Sequence, residues 1–101
     1  MAKVYGTARF SVQPDAMDRA VQAIEAFVSY VRANEPGTEL YLSLRDRDDH
    51  RAFMHFMIFT DEGAEQIHAN SEAVQRFTSV LYPLCPEPVR FERFEPVAGD
   101  T

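Results

Sequence analysis

The chain has 101 residues, 46% hydrophobic and 26% charged, which is enough for one domain with one apolar core and is ordinary for a globular protein. Ten basic residues against sixteen acidic ones give a formal net charge of -6, and the basic residues are scattered; binding of nucleic-acid phosphates needs clustered Lys and Arg, so this balance argues against it. No apolar run approaches the roughly 20 residues that cross a bilayer, and Met-Ala-Lys-Val-Tyr-Gly at the start lacks the apolar centre of a secretory signal, so no membrane association and a cytoplasmic location are the expectations.

Residues 3 to 12 alternate, with Val4, Gly6, Ala8, Phe10 and Val12 on one face and Lys3, Tyr5, Thr7, Arg9 and Ser11 on the other. That period of two predicts a strand. Pro14 fits the first turn of a helix, with Asp15 and Asp18 where the dipole favours acids. Met17, Val21, Ile24, Val28 and Val31 then recur at spacings of four, three, four and three, a stripe that predicts core packing. The helix should stop before Glu35-Pro36-Gly37, because a proline disfavours helical geometry in the residue before it. From 39 to 45, Leu40, Leu42 and Leu44 alternate with Glu39, Tyr41, Ser43 and Arg45, and a polar turn follows at Asp46 to His50.

Residues 52 to 59 are apolar on both faces, which predicts a strand buried on both sides. Asp61 can cap a short helix through about Ala69, and Ser71 a second one, with Glu72 in its first turn and Val74, Phe77 and Leu81 on its apolar side. Prolines at 83, 86 and 88 break the chain before a last strand from Val89 to Phe94, where slipping alternation predicts a bulge. Residues 96–101 are expected to be a frayed tail.

The order β-α-β-β-α-β, with its second helical segment in two pieces, predicts an α+β fold: one ferredoxin-like, split β-α-β domain over residues 1–101 with an antiparallel sheet. Helices should cover one sheet face. The other, read as carrying Tyr5, Tyr41 and one apolar side of the third strand, is too apolar to leave wet and predicts a two-fold homodimer packed sheet to sheet.

Titratable chemistry and burial coincide only between Phe53 and Pro83. His55 shares a strand face with Phe53, Met57 and Phe59, and His68 shares a helical stripe with Ala64, Ile67 and Ser71. Imidazole is suited to moving protons near neutral pH, so the pair points to a small-molecule pocket. Each also has a structural reading: His68 as a partner of a backbone carbonyl, His55 as a packed ring satisfied across a dimer. Tyr41 and Tyr82 could orient a substrate oxygen, or merely satisfy a polar tip on an apolar body. Cys85, the only cysteine, is read as a small hydrophobe at a chain turn. Arg45, beside Asp46 at the end of the second strand, could clamp an anionic substrate or form a solvated ion pair at the hairpin end, and the ion pair is the reading preferred. The loop of Asp46, Asp48, Asp49 and His50 lacks the glycine and bidentate glutamate of a calcium loop, so no metal site is expected. Gly6 and Gly37 form no phosphate-binding run.

The runs V-R-A-N-E-P-G-T-E-L-Y at 31 to 41, D-E-G-A-E-Q-I-H-A-N-S from Asp61, and F-T-S-V-L-Y-P from Phe77 resemble the antibiotic biosynthesis monooxygenase family across nearly the whole chain. The resemblance implies a ferredoxin-like protomer that dimerises into an α/β barrel. It implies oxygenation of a small aromatic phenol or hydroquinone by molecular oxygen with no flavin, haem or metal cofactor. His68 matches the family's short-helix histidine and Tyr41 an aromatic early in the second strand. On this reading His68 is the first choice for the base and His55 the second. Tyr41 and Tyr82 orient the ring, and Phe53, Met57 and Phe59, with Met54 and Phe56, form the apolar wall. Relatives often carry glutamate at the Met57 position, tryptophan at Phe59 and an aliphatic residue at His55. Those departures leave open a non-catalytic, small-molecule-binding dimer. Haem degradation, the third reading, needs a histidine where this chain has Thr78.

Overall fold

A computed structural model describes residues 2–99. Its strands are β1 (Val4–Ser11), β2 (Thr38–Arg45), β3 (Ala52–Phe59) and β4 (Arg90–Phe94); its helices are α1 (Met17–Asn34), α2 (Glu62–Ala69) and α3 (Glu72–Leu81). The strands form one antiparallel sheet in the order β2-β3-β1-β4. This is the α+β, ferredoxin-like arrangement. Residues 96–99 form neither helix nor strand, and 100 and 101 of the expected frayed tail lie outside the described residues.

Local chemistry accounts for the element ends. Pro14 opens a single 3-10 turn, Pro14–Ala16, that runs into α1. Asp61 accepts a hydrogen bond from the Ala64 backbone N–H at the start of α2, and Ser71 accepts one from Val74 at the start of α3. Each satisfies a helix N–H that has no partner within its own helix. At the other end of α1 the Glu35 N–H still donates to the Val31 carbonyl before Pro36 stops the helix.

The helices pack on the face formed by Phe10 of β1, Tyr41 of β2 and Phe53 of β3. Along α1 the fully buried positions are Ala20, Ile24, Phe27 and Val31, while Met17, Val21 and Val28 only flank them. The helical period holds, but the buried line turns toward Phe27, whose ring offers more apolar area than the valine beside it.

Two expectations about the sheet change. Tyr41 lies on the helix-covered face, opposite Met57, and not with Tyr5 on the open face. Strand alternation holds; which leucine or tyrosine row faces the core is set by the pairing register, which the sequence pattern leaves undetermined. The irregular pairing is in β2, between Thr38 and Leu40, whereas β4 pairs evenly with β1 from Tyr5–Phe94 to Arg9–Arg90. On the open face Ile58 is buried, Met54 and Phe56 are half-buried and Leu42 and Leu44 exposed, so β3 is buried on both sides at its Ile58 end and only partly so toward Met54.

Candidate active site

Between the helix layer and the inner face of the sheet lies a cavity of about 290 Å³. Its walls include Phe10, Phe27, Met57, Phe59, Phe77 and Leu81. The short side chain of Ala8, paired with His55 across the β1–β3 ladder, leaves room beneath α3. Ala69, Tyr82 and Phe91 line the cavity and are themselves exposed, so they form its mouth. Besides Tyr82 at the mouth, the polar side chains on this mainly apolar shell are Tyr41, His55 and His68, with Thr78 and with Glu65, whose carboxylate is paired with Arg93. The Tyr41 ring centroid is 5.3 Å from that of His55 and 5.5 Å from that of His68.

Each imidazole has one nitrogen fixed by a protein partner. His68 Nδ1 lies 2.8 Å from Glu35 Oε1, and both residues are buried. The Thr38 hydroxyl donates to the same oxygen at 2.9 Å. A carboxylate only accepts, so it draws the Nδ1 proton and leaves His68 Nε2 with a lone pair in the neutral ring. Phe27 and Phe59 pack against the His68 ring at 5.6 and 5.2 Å between centroids, which limits its reorientation.

The second pair is Tyr41 Oη with His55 Nδ1, 2.7 Å apart. Burial, with the neighbouring charges of Glu35 and Tyr82, raises the Tyr41 phenol above its ordinary range, so it keeps its proton. Burial, and secondarily the charge of His68, pushes the His55 imidazole down to about 4, so it is neutral at pH 7. Two proton arrangements are then open. If Nδ1–H donated to the phenol oxygen, the phenol proton would have no acceptor among the described residues, and neither would the Nε2 lone pair have a donor. If the phenol donates to Nδ1, only Nε2–H is left over. The second arrangement leaves one fewer buried group unpaired, worth roughly 1–3 kcal/mol, and is the one that dominates. The two histidines thus differ in kind: the neutral His68 ring would offer a lone pair at Nε2, and His55 offers an N–H.

The sequence profile of the family described as antibiotic biosynthesis monooxygenase matches residues 4–79. The chain belongs to that family. Solved structures agree in fold: a Caulobacter crescentus protein assigned to the same family is 18% identical with a TM-score of 0.90, over 96% of this chain and 92% of that one. A Mycobacterium tuberculosis protein is 21% identical with a TM-score of 0.90, over 99% of this chain and 100% of that one. One from Pseudomonas aeruginosa is 22% identical with a TM-score of 0.86, over 97% of each chain. No curated protein sequence matches the chain.

Against this family background, Tyr41, His55, Met57, Phe59, His68 and Tyr82 all border one cavity. Phe53 does not: it stacks behind Phe10 with centroids 5.4 Å apart, nearer the end of the sheet. Met54 and Phe56 pair with the row on the open face and are not part of the cavity wall. Ile67 is 68% exposed, so the expected stripe of His68 with Ile67 breaks, and His68 turns inward with Ala64. Arg45 lies over the Phe53 ring, 5.0 Å from its centroid, in a cation–π contact; no Arg45–Asp46 ion pair occurs among the described residues. Asp46 instead accepts from the Asp48 and Asp49 backbone N–H groups, closing its turn. No group of three or more His, Cys, Asp or Glu side chains is placed to hold a metal ion among the described residues, and no helix among them is long and apolar enough to cross a membrane. Burial raises the Cys85 thiol, the opposite of what a thiolate nucleophile needs, and its Sγ donates to the Leu81 carbonyl.

Glu35 has no motif of a site residue in the sequence, where Glu35-Pro36-Gly37 reads as a helix stop, and neither has Glu65 at the cavity wall. For Glu35 one indirect signal exists. A carboxylate at the C-terminal end of a helix opposes the helix dipole, so it needs a specific partner to be worth its place.

Proposed function

We propose that this family member is a cofactor-independent monooxygenase of small phenols or hydroquinones. The observation that carries the reading is the pairing of two imidazoles on one mainly apolar cavity, one with its Nδ1 on a carboxylate and the other with its Nδ1 on a phenol. At about 290 Å³ the space lies just below the usual range of ligand sites, roughly 300–1,000 Å³, which suits one or two fused rings.

His68 Nε2 takes the phenolic proton, and Glu35 steadies the imidazolium that forms. The phenolate passes one electron to molecular oxygen. The apolar wall keeps the radical pair from water until the two radicals join as a C–O bond on the ring carbon para to the hydroxyl. The resulting hydroperoxide loses water, one oxygen atom staying on carbon. For a phenol with hydrogen at that carbon, phenol and O₂ become a quinone and one water, and the substrate supplies all four electrons that oxygen accepts. His55 Nε2–H is available to developing negative charge on oxygen. Tyr41 fixes the His55 tautomer, while Met57 and Phe59 shape the ring's berth. Tyr82, at the mouth, meets the substrate on entry.

The partners in this reading are a small aromatic substrate and O₂, with a second copy of the chain on the open sheet face, where Leu42, Leu44 and Phe94 are exposed. Haem degradation is disfavoured because the Thr78 hydroxyl donates to the Gln75 carbonyl and offers no imidazole ligand. The test is oxygen uptake with naphthols and reduced naphthoquinones in metal-free buffer. Uptake that falls about 10²-fold or more in His68→Ala supports the reading. Tight binding of the same compounds with no uptake would show a binding protein in place of an oxygenase.

A further inference from the structure

Three buried side-chain polar atoms have no partner among the described residues: Thr7 Oγ1, Glu35 Oε2 and His55 Nε2. Only His55 borders the cavity. The residue is 1% exposed and Nε2 itself is buried, so bulk water does not serve that nitrogen. Buried polar atoms in native proteins are nearly always paired, and an exception beside a cavity marks where a ligand atom belongs. The Tyr41 phenol, by donating to Nδ1, makes the free nitrogen an N–H donor. A fixed, buried donor among apolar walls recognises an acceptor oxygen and rejects a cation or a bare hydrocarbon edge.

We propose that His55 Nε2–H receives a carbonyl oxygen of the ligand, so that the cavity selects hydroxyaryl ketones and hydroxyquinones over phenols lacking the second oxygen. The inference rests on the oxygenase reading for the phenol half of the ligand, which His68 addresses. The two imidazoles border the same cavity and both lie against Tyr41, so one ring carrying both groups is proposed to lie between them. Conjugation gives the arrangement a chemical purpose. A carbonyl conjugated with the phenol carries part of the anion's charge on its own oxygen. A donor there therefore stabilises the phenolate that His68 creates at the other end of the ring system.

Two bicyclic phenols test this: 6-hydroxy-1-tetralone and 5,6,7,8-tetrahydro-2-naphthol, which share a skeleton and differ in a carbonyl against a methylene. Dissociation constants are measured by calorimetry below the pKa of both phenols. The native protein should favour the ketone by roughly tenfold or more, since a site built to hydrogen-bond a ligand group penalises its absence. His55→Phe should erase most of that preference while still binding the tetrahydronaphthol. Equal affinities, binding of neither compound, or a preference that survives His55→Phe would overturn the proposal. If naphthols still drive His68-dependent oxygen uptake, such a result leaves the oxygenase reading standing; loss of uptake alone would strike that reading and not this one. A second measurement needs no binding. The ring nitrogen shifts of His55 in the ¹⁵N-labelled native protein should show Nε2 protonated and Nδ1 bare, with the tautomers mixing in Tyr41→Phe. A protonated Nδ1 in the native protein overturns the proposal directly.

Discussion

The Glu35 carboxylate ends α1, yet its Oε1 lies 2.8 Å from Nδ1 of His68, on a different helix and 33 residues along the chain. That contact orients the proposed base and fixes which of its nitrogens is bare. Glu35→Ala should therefore lower kcat by about 10²-fold, with a stability loss of about 1–3 kcal/mol from the stranded imidazole N–H. Glu35→Gln can still accept from Nδ1 through its amide oxygen. It should keep most of the stability and lose about tenfold in kcat, because the neutral amide no longer steadies the imidazolium. Urea unfolding and steady-state kinetics separate the two effects; an unchanged kcat in Glu35→Ala would remove Glu35 from the mechanism.

Gly37 holds the two halves of that contact together. A Cβ placed there would come within 2.6 Å of Ala64 Cβ on α2, too close without a shift of backbone. The Gly37 carbonyl also accepts from the Thr60 N–H at 2.8 Å, just before α2 begins. Gly37→Ala should cost about 1–3 kcal/mol by overpacking and lift His68 off Glu35. The expected signature is a kcat loss that persists when the variant is assayed well below its melting temperature. A variant with native stability and activity would contradict the close packing.

Much of this was legible in the chain. Asp61 and Ser71 announced the two short helices by their capping chemistry, and both accept the backbone bonds expected of them. Period-two runs marked the strands. Register is not legible, since alternation divides β2 into two rows without saying which faces the helices; the row of Tyr41 follows from the pattern, and its face only from the pairing with Met57. Phe53 shares a face with His55, but Phe10 stands between it and the cavity, a tertiary fact with no local signature. Glu35 and His68 meet only because β2 and β3 bring the end of α1 beneath α2. No spacing rule covers that distance in sequence.

Stability should fall in mild acid because of His55. Its folded value, about 4, lies below the ordinary 6.5, so the unfolded chain binds a proton more readily over that interval. Stability from this group is complete above pH 6.5 and declines as pH falls, by about 1.4 kcal/mol per unit, levelling near pH 4 after a loss of roughly 3 kcal/mol. Denaturant titrations between pH 7 and pH 4 should show a smaller decline in His55→Phe than in the native protein. Parallel curves would mean that the ring titrates normally in the fold.

The open sheet face should hold a second copy of the chain. Leu42 and Leu44 are each more than 40% exposed, and Thr7 Oγ1 is buried there without a partner among the described residues. Exposed apolar rows of this kind on a sheet commonly mark an interface. The native protein should elute as a dimer at micromolar concentration, and Leu42→Asp with Leu44→Asp should shift it to a monomer. A native monomer, confirmed by light scattering, would rule out the sheet-to-sheet dimer.

Phe91 offers a change that touches substrate binding without touching the core. It is 67% exposed, on β4 opposite Ala8, and lines the cavity mouth. So exposed a ring contributes little to folding, and Phe91→Ala should leave stability within about 0.5 kcal/mol. On the proposed reading the ring lies beside the substrate's way in past Tyr82, and losing it removes apolar contact equally present in the ground and transition states. KM should rise several-fold with kcat nearly unchanged, the mark of lost uniform binding. A fall in kcat at constant KM would place Phe91 at the reacting centre and move the mouth to another side of the cavity.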